Sequence, residues 1–408
     1  MTKITQKREI RGLALLLAGT YMVSYITRIN YGAVISEMEA ATAFPRELLS
    51  MALTGSFITY GTGQVVSGIL GDRISPKRLI SIGLVATVLM NLLIPICSDP
   101  YQMLAVWCVN GFAQSFMWPP LVRLMTELLP EDAYKDVSTK VSWGSSVGTI
   151  LVYLLAPVII SVWSWKGVFV LSSAFGIGML LIWNHCARDV ETQKRQTAVG
   201  NKGTVSIFFT PLVAGIMIAI ALQGMLRDGV TTWMPTYISE TYQLSTVISI
   251  LTGVILPVFS IFSVQVSANI YSKRLTNPLA CAAAFFGTGA LAAVGLYLLA
   301  SENAAVSVLL SAILTGCMHG VNLMLITMLP PFFKRYDAVA TASGVLNACT
   351  YVGSAASTYG IAVLSANIGW RPTILVWFGI AAAGTLLCLL CIRGWKRKFM
   401  TETKELTP

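Results

Sequence analysis

Long apolar stretches recur along the whole chain, and they restrict the possible fold more than any other feature. Each is near or above the ~20 residues that a helix needs to cross the hydrocarbon core of a bilayer. A membrane β-barrel would need alternating segments of ~10 residues, and no such pattern is visible. We therefore predict an all-α integral membrane protein with twelve transmembrane helices. The stretches are 12–35, 48–70, 79–98, 101–126, 139–162, 167–187, 206–237, 245–270, 277–300, 304–330, 338–366 and 372–393.

The composition leads to the same conclusion. Only 11% of the residues are charged and 55% are hydrophobic, whereas soluble domains carry about 25% charged residues. So few charged residues could not cover the surface of a soluble protein of 408 residues. The composition therefore excludes a cytosolic enzyme, a disordered chain and a disulfide-stapled scaffold. The eight cysteines lie in or beside the apolar stretches, where packing is the favoured role. We expect no metal site and no cofactor.

The basic residues indicate the topology. Most of the 28 Lys and Arg residues fall in the N-terminal segment, the even-numbered loops and the C-terminal tail, whereas Arg46, Lys166 and Arg371 fall on the other side. The positive-inside rule therefore predicts that both termini are cytoplasmic. We find no organelle-targeting segment in the sequence and expect the inner (plasma) membrane. The net charge of +10 follows from this topology, so the expected partner is the lipid bilayer and not a nucleic acid. We expect the protein to function as a monomer.

The chain divides into two similar halves. We predict an N-terminal six-helix bundle at 1–187, a cytoplasmic central loop at 188–205, and a C-terminal six-helix bundle with a short basic tail at 206–408. Two pseudo-symmetric bundles are typical of transporters that alternate access to a central site. Three repeats separated by 199 to 205 positions support this division, namely Ser67–Arg73 with Ser267–Lys273, Val147-Gly148 with Val352-Gly353, and Arg28 with Arg227.

Two arginines lie deep within apolar stretches, Arg28 in the first and Arg227 in the seventh. A charged residue at the centre of a membrane helix costs roughly 2.5–3.5 kcal/mol on insertion scales, so such residues usually face a polar cavity or a partner. The planar guanidinium can donate two parallel hydrogen bonds to a phosphate or a carboxylate. The pair therefore predicts an anion site to which each half contributes one arginine.

Several motifs resemble those of a known transporter family. The loop Gly68-x-x-Gly71-Asp72-Arg73-x-x-Pro76-Lys77-Arg78 resembles the cytoplasmic signature of the major facilitator superfamily. Three strings narrow the resemblance to its organophosphate:phosphate antiporter family, which includes glycerol-3-phosphate and hexose-phosphate transporters. They are Tyr25-Ile-Thr-Arg28-Ile-Asn30-Tyr31, Asn110-Gly111-x-x-Gln114-x-x-x-Trp118-Pro119-Pro120-x-x-Arg123, and Leu226-Arg227-x-Gly229-x-x-x-Trp233-x-Pro235-Thr236-Tyr237.

This resemblance implies the fold and a set of site residues. It implies the major facilitator fold, with Asp72, Arg73 and Arg123 as a cytoplasmic gate. Gln64 stands where the family has a Lys and Ser145 where it has a His, so we expect fewer auxiliary charges than in the family. The expected substrate-binding residues are Arg28, Arg227, Tyr25, Tyr60, Gln64, Gln114, Trp118, Ser145, His319, Asn322 and Tyr351.

The charge balance of the predicted site depends on Asp228. It directly follows Arg227, and a helix turns successive residues about 100° apart, so we expect its carboxylate to point away from the guanidinium. The site would then hold two fixed positive charges, which the roughly −1.5 to −2 charge of a phosphate ester could balance.

These residues favour a secondary transporter of a small anionic solute. The first hypothesis is a phosphorylated compound exchanged for inorganic phosphate, because two like charges would resist closure of an empty site. The alternative is proton-coupled symport of an unphosphorylated organic anion, with His319 or Asp228 as the proton carrier. A third hypothesis is a transporter-like membrane receptor. An enzyme is not expected, because no metalloprotease, hydrolase or phosphate-loop motif is found in the sequence.

Overall fold

The computed structural model describes residues 3–42, 44–188, 206–243, 246–299 and 303–400, and within these ranges the chain is helical with no strand. The helices of the first part are α1 Lys7–Ala33, α2 Ile35–Thr42, α3 Arg46–Gly71, α4 Pro76–Leu93, α5 Pro100–Gln114, α6 Trp118–Leu128, α7 Glu131–Val162 and α8 Trp165–Cys186. Those of the second part are α9 Pro211–Tyr242, α10 Thr246–Lys273, α11 Pro278–Leu299, α12 Ala304–Asn322, α13 Val339–Ile368 and α14 Trp370–Trp395.

Every predicted apolar stretch contains a helix, so the all-α prediction is confirmed. Within the described ranges, nine helical segments are long and apolar enough to cross a membrane. The fourth predicted stretch differs because it is divided into α5 and α6, of 15 and 11 residues. The division comes directly before Pro119 and Pro120, which cannot donate the backbone hydrogen bonds that would continue α5.

The helix surfaces are more apolar than those of a soluble protein. Large apolar side chains are exposed on many helices; Leu15 is 75% exposed and Leu291 is 72% exposed. Asn91 and Gln114, in contrast, are fully buried. A bilayer accepts apolar side chains on its surface but not polar groups without partners, so this distribution is that of a multi-pass membrane protein.

The chain forms two compact units. The first comprises Met1–Gln196 with Phe333–Ala348, and the second comprises Thr197–Phe332 with Cys349–Pro408. Segment 333–348 therefore packs with the first unit, which the sequence-based boundaries did not anticipate. Of the predicted central loop 188–205, only residue 188 lies within the described residues.

In each unit, a glycine allows two helices to approach closely, and the two pairs of helices correspond to each other. In the first unit, a Cβ at Gly148 of α7 would lie 2.5 Å from the carbonyl oxygen of Met22 on α1. In the second unit, a Cβ at Gly353 of α13 would meet the carbonyl oxygen of Ala221 on α9. These contacts follow the sequence repeats, because α1 corresponds to α9 and α7 to α13. The repeat therefore extends from sequence to packing.

Candidate functional site

Arg28 lies on α1 between two aromatic rings. Its guanidinium carbon is 4.2 Å from the ring centroid of Tyr25 and 4.7 Å from that of Tyr60. Such cation–π contacts are worth about 0.5–2 kcal/mol each, and they position the charge without neutralising it. Tyr21 extends the aromatic group, with its ring 5.2 Å from that of Tyr25 and 4.9 Å from that of Trp118. Three of the predicted site residues on α1 and α3 are therefore in direct contact, and Trp118 adjoins them.

A buried polar network fixes the stretch of α1 that carries Arg28. Asn30 donates to the side chain of Asn91 on α4 at 2.7 Å. Asn91 and Asn110 both donate to the carbonyl oxygen of Thr27, at 3.0 and 3.2 Å. Because these amides are buried, losing a partner would leave an unsatisfied polar group that costs about 1–3 kcal/mol. The network therefore holds α1 in one register against α4 and α5.

Gln114 belongs to this network, although we predicted it as a substrate ligand. Its Oε1 accepts a hydrogen bond from Ser24 at 2.6 Å, and its Nε2 donates to Thr27 Oγ1 at 2.9 Å. The side chain is fully buried. Both ends of the amide are thus engaged in joining α5 to α1, so we exclude Gln114 from the groups proposed to contact a solute.

Two buried donors near Arg28 differ from Gln114. The Nε2 of Gln64 and the Nε1 of Trp118 have no hydrogen-bond acceptor among the described residues. Gln64 uses its other amide atom, Oε1, to accept from Asn347 at 3.0 Å. Buried donors of this kind usually have a partner, so both are suited to bind an oxygen atom of a solute. The predictions for Gln64 and Trp118 are compatible with this geometry.

Arg227 has a different environment from Arg28, and here an expectation was wrong. Its Nε and Nη2 donate to the two oxygens of Asp228 at 2.6 and 2.8 Å. The helix does turn the two Cα–Cβ bonds apart, but the long arginine side chain folds along α9 and reaches its neighbour. Ser354 on α13 also donates to Asp228. The site therefore does not hold two uncompensated positive charges.

The remaining predicted residues have distinct positions. His319 on α12 is within electrostatic range of both Arg227 and Asp228. Asn322 ends α12, directly before a π-helical turn at Leu323–Thr327. Ser145 lies on α7, where its hydroxyl donates to the carbonyl oxygen of Ser142 at 2.7 Å, and Tyr351 is partly buried on α13. Substrate contact by these four residues stays a prediction.

The predicted gate is organised around Asp72, at the end of α3. Its two carboxylate oxygens accept hydrogen bonds from the backbone amides of Ala340 and Thr341, at 2.9 and 2.8 Å. These amides belong to the first turn of α13, where they have no partner within the helix and carry partial positive charge. Gly68 permits this approach, because a Cβ there would lie 2.7 Å from the carbonyl oxygen of Ala340. Burial raises the pKa of Asp72 above its usual value.

The two gate arginines differ from each other. Arg123 on α6 donates to the carbonyl oxygens of Gly71 and Ile74, at 2.5 and 3.4 Å, and so binds the C-terminal end of α3. Its charge also lowers the pKa of Asp72, though less than burial raises it. Arg73 is exposed. Asp72 and Arg123 thus bind the end of α3 to the first turn of α13 and to α6. A gating role for all three residues stays a prediction.

Asn91 is the supporting residue that the sequence analysis missed. It lies alone in an apolar stretch, so nothing in the sequence links it to Arg28. An Asn within an apolar membrane-spanning stretch is nevertheless costly unless it finds partners. That cost is the one signal that could have identified it as a contact between helices.

Known proteins similar to this chain share its architecture. A family model described as "Major Facilitator Superfamily" matches residues 17–358. A "Membrane sensor protein UhpC" of Salmonella typhimurium is 24% identical, over 94% of this chain and 91% of that protein. A "Probable hexose phosphate transport protein" of Chlamydia pneumoniae is 22% identical, over 90% of this chain and 88% of that protein.

Comparison with a solved structure also identifies the major facilitator fold. The crystal structure of FucP, described as a major facilitator transporter in the outward conformation, has a TM-score of 0.77 to this chain. It is 12% identical and covers 94% of this chain and 99% of FucP. At this identity the likeness shows the fold alone.

Proposed function

Since the chain belongs to the major facilitator superfamily, we propose that it is a secondary active transporter whose cargo is a small phosphorylated compound. The observation that carries the proposal is the pair of intramembrane arginines. Arg28 and Arg227 occupy corresponding positions on α1 and α9, and corresponding glycine contacts hold both helices. A relative named as a probable hexose phosphate transport protein supports this class of cargo.

The surroundings of Arg28 suit such a cargo. The tyrosine rings position the guanidinium carbon at 4.2 and 4.7 Å from their centroids, and a guanidinium can donate two parallel hydrogen bonds to phosphate oxygens. The buried donors of Gln64 and Trp118 lie on neighbouring helices and can bind further oxygens. We propose Arg28 and Arg227 as the two principal anion-binding groups. That both contact one anion stays a prediction from the sequence.

Exchange for inorganic phosphate is the first form of coupling that we propose. The family relation supports it, but the like-charge argument for obligatory exchange does not, because Asp228 compensates the charge of Arg227. We also propose the topology with both termini on the cytoplasmic side of the inner membrane, and the monomer as the functional unit.

Proton-coupled symport is a second candidate, and a specific observation favours it. A solute anion that binds Arg227 would compete with Asp228, and a displaced carboxylate could take up one proton. Asp228 faces Arg227, the hydroxyl of Ser354 and the imidazole of His319. Each cycle would then move one anion together with one proton. A sensor role is a third candidate, because one relative is named a membrane sensor protein.

Flux measurements in proteoliposomes distinguish these functions. Vesicles containing the purified protein are loaded with inorganic phosphate or with an inert buffer, and uptake of labelled glucose 6-phosphate and glycerol 3-phosphate is followed. Exchange predicts uptake only into phosphate-loaded vesicles. Symport predicts uptake into buffer-loaded vesicles when the outside is made acidic. Binding without flux under both conditions would favour the sensor, and no binding of any phosphorylated compound would refute the proposal.

A further inference from the structure

We propose that Asp228 is a specificity-determining residue, a tethered competitor that cargo must displace from Arg227. This inference rests on the proposed function, because it concerns the same anion site. It adds a selection rule, namely that the site admits dianions such as phosphate monoesters and rejects monoanions of the same shape. Neither the family relation nor the sequence motifs contain this rule.

The first step of the argument is the hydrogen-bonding edge that Asp228 occupies. The carboxylate accepts from Nε and Nη2 of Arg227, which together form one of the two edges by which arginine binds an anion in a bidentate manner. A phosphate group that uses this edge must take the place of the carboxylate. The Arg227 side chain is only 15% exposed, so the exchange takes place largely away from bulk water.

The second step is the position that a displaced carboxylate can keep. Ser354 donates to Asp228 from α13, and the Ser354 hydroxyl is also within hydrogen-bond distance of the carbonyl oxygens of Gly224 and Thr350. The Asp228 side chain is 32% exposed, so water also reaches it. Asp228 can therefore lose Arg227 and still keep one partner, which makes displacement feasible.

The third step compares the charges of the competitors. Asp228 carries one negative charge and is covalently held beside Arg227, so its effective concentration there is at least in the millimolar range. A monoanionic solute offers the guanidinium no more charge than Asp228 does, and it must overcome that local concentration. A phosphate monoester carries about −1.5 to −2 charges at neutral pH and attracts the guanidinium more strongly. Competition with Asp228 therefore selects by charge.

Sulfate esters test this rule, because glucose 6-sulfate is a permanent monoanion with nearly the shape of glucose 6-phosphate. Binding of both esters, and of glycerol 3-phosphate and its sulfate analogue, is measured at constant pH for the wild type and for Asp228→Asn. We expect the wild type to prefer the phosphate by about tenfold or more, the value of one hydrogen bond to a charged group. Asp228→Asn is expected to strengthen sulfate binding more than phosphate binding, so the preference narrows.

Glu240→Gln is the matched control. Glu240 is an exposed carboxylate on the same helix, α9, where it accepts a hydrogen bond from Trp370 that glutamine can also accept. The substitution Glu240→Gln removes one negative charge, as Asp228→Asn does, but at a residue that does not bind Arg227. The preference for phosphate over sulfate esters should therefore not change. An unchanged preference in Asp228→Asn, or sulfate binding that becomes weaker, would overturn the inference.

Ser354→Ala gives an independent test, also for the case that Asp228→Asn does not fold. Without its second partner the carboxylate is held by Arg227 more firmly, and we expect both esters to bind about threefold more weakly or worse, a loss below that of a full charged hydrogen bond. Unchanged or tighter binding would contradict the proposed competition.

The outcomes also separate this inference from the proposed function. If the wild type binds no phosphorylated compound but Asp228→Asn gains binding of the sulfate esters, the proposed cargo is wrong and the competitor role stands. If the wild type binds phosphate esters and Asp228→Asn keeps the full preference, the cargo stands and the competitor role is refuted. If neither protein binds any ester, both are refuted.

Discussion

The two intramembrane arginines occupy corresponding positions of a repeat, yet their surroundings differ in kind. Arg28 is held by the faces of Tyr25 and Tyr60, which contribute no formal charge. Arg227 is held by the carboxylate of Asp228, which cancels its charge. The same backbone arrangement thus places a guanidinium against aromatic rings in the first unit and against a carboxylate in the second. The difference teaches that pseudo-symmetry of helices does not imply symmetry of the anion site.

We expect the largest effect on the free energy of unfolding when one of the two arginines is replaced by alanine. Arg227→Ala leaves the partly buried Asp228 without its counter-charge, so we expect a loss of about 3 kcal/mol of unfolding free energy, the low end for a broken buried pair. Arg28→Ala loses two cation–π contacts, each worth about 0.5–1 kcal/mol where water still reaches the group, so we expect a smaller loss of about 1–2 kcal/mol. The measurement is the thermal unfolding midpoint of the purified variants in detergent.

A double variant sharpens this prediction. Arg227→Ala combined with Asp228→Asn removes the charge that was left alone, so most of the lost stability should return. Glu240→Gln serves as the control substitution, and it should not restore the stability of Arg227→Ala. If the double variant is as unstable as Arg227→Ala, the ion pair does not distinguish the two units.

The packing of the two units can be compared through the corresponding glycines. A methyl group added at Gly148 would contact the carbonyl oxygen of Met22. A methyl group added at Gly353 would contact the carbonyl oxygen of Ala221, at a shorter distance. Overpacking against backbone costs about 1–3 kcal/mol, so both Gly148→Ala and Gly353→Ala should lower the unfolding midpoint, the second more than the first. Gly178→Ala, where no atom lies within 4 Å of the added group, is the control. Equal behaviour of all three would show that the repeat does not extend to packing.

Tyr60 tests what holds Arg28. Tyr60→Phe keeps the ring over the guanidinium, whereas Tyr60→Leu removes it at similar apolar character. We expect Tyr60→Leu to weaken phosphate-ester binding by about 1 kcal/mol, or roughly fivefold, and Tyr60→Phe to change it little. Binding is followed by titration calorimetry. Equal loss in both variants would assign the effect to the hydroxyl and not to the ring.

The smallest expected effect is a dependence of the Asp72 contact on pH. Burial raises the pKa of Asp72 in the folded protein, so the folded state binds a proton more readily than the unfolded state. Protonation therefore favours the folded state, and the stability of the wild type relative to Asp72→Asn should increase as the pH falls from neutral towards the ordinary carboxyl range. The unfolding midpoints of both proteins across that range provide the measurement. A difference that decreases on acidification would contradict the buried position of Asp72.

The sequence predicted the helices well, because apolar runs of bilayer length determine them directly. The division into α5 and α6 was not predicted, because the apolar stretch 101–126 continues through Pro119 and Pro120, which interrupt the helix. The grouping of 333–348 with the first unit could not be predicted, because it depends on contacts such as that between Asp72 and the first turn of α13.

The site was predicted as a set of residues but not as a set of interactions. Arg28, Tyr25 and Tyr60 were predicted as members of one site, and the structure brings the two rings against the guanidinium. The pairing of Arg227 with Asp228 could not be predicted from helical geometry, because rotamers of a long side chain decide it. Gln114 was predicted as a solute ligand because it lies in the conspicuous polar motif of the fourth stretch, whereas its partners Ser24 and Thr27 are distant in sequence and could not be recognised.

Equilibrium binding of glucose 6-phosphate, glycerol 3-phosphate and neutral glucose to the wild type, Arg28→Ala and Arg227→Ala tests the central claim most directly. Thermal shift and titration calorimetry are read at the same pH and salt concentration, with Glu240→Gln as a control. The account predicts that a phosphorylated compound binds the wild type and the control, and that each arginine variant loses this binding. Stabilisation of all four proteins by neutral glucose, or phosphate-ester binding that survives both arginine substitutions, would contradict it.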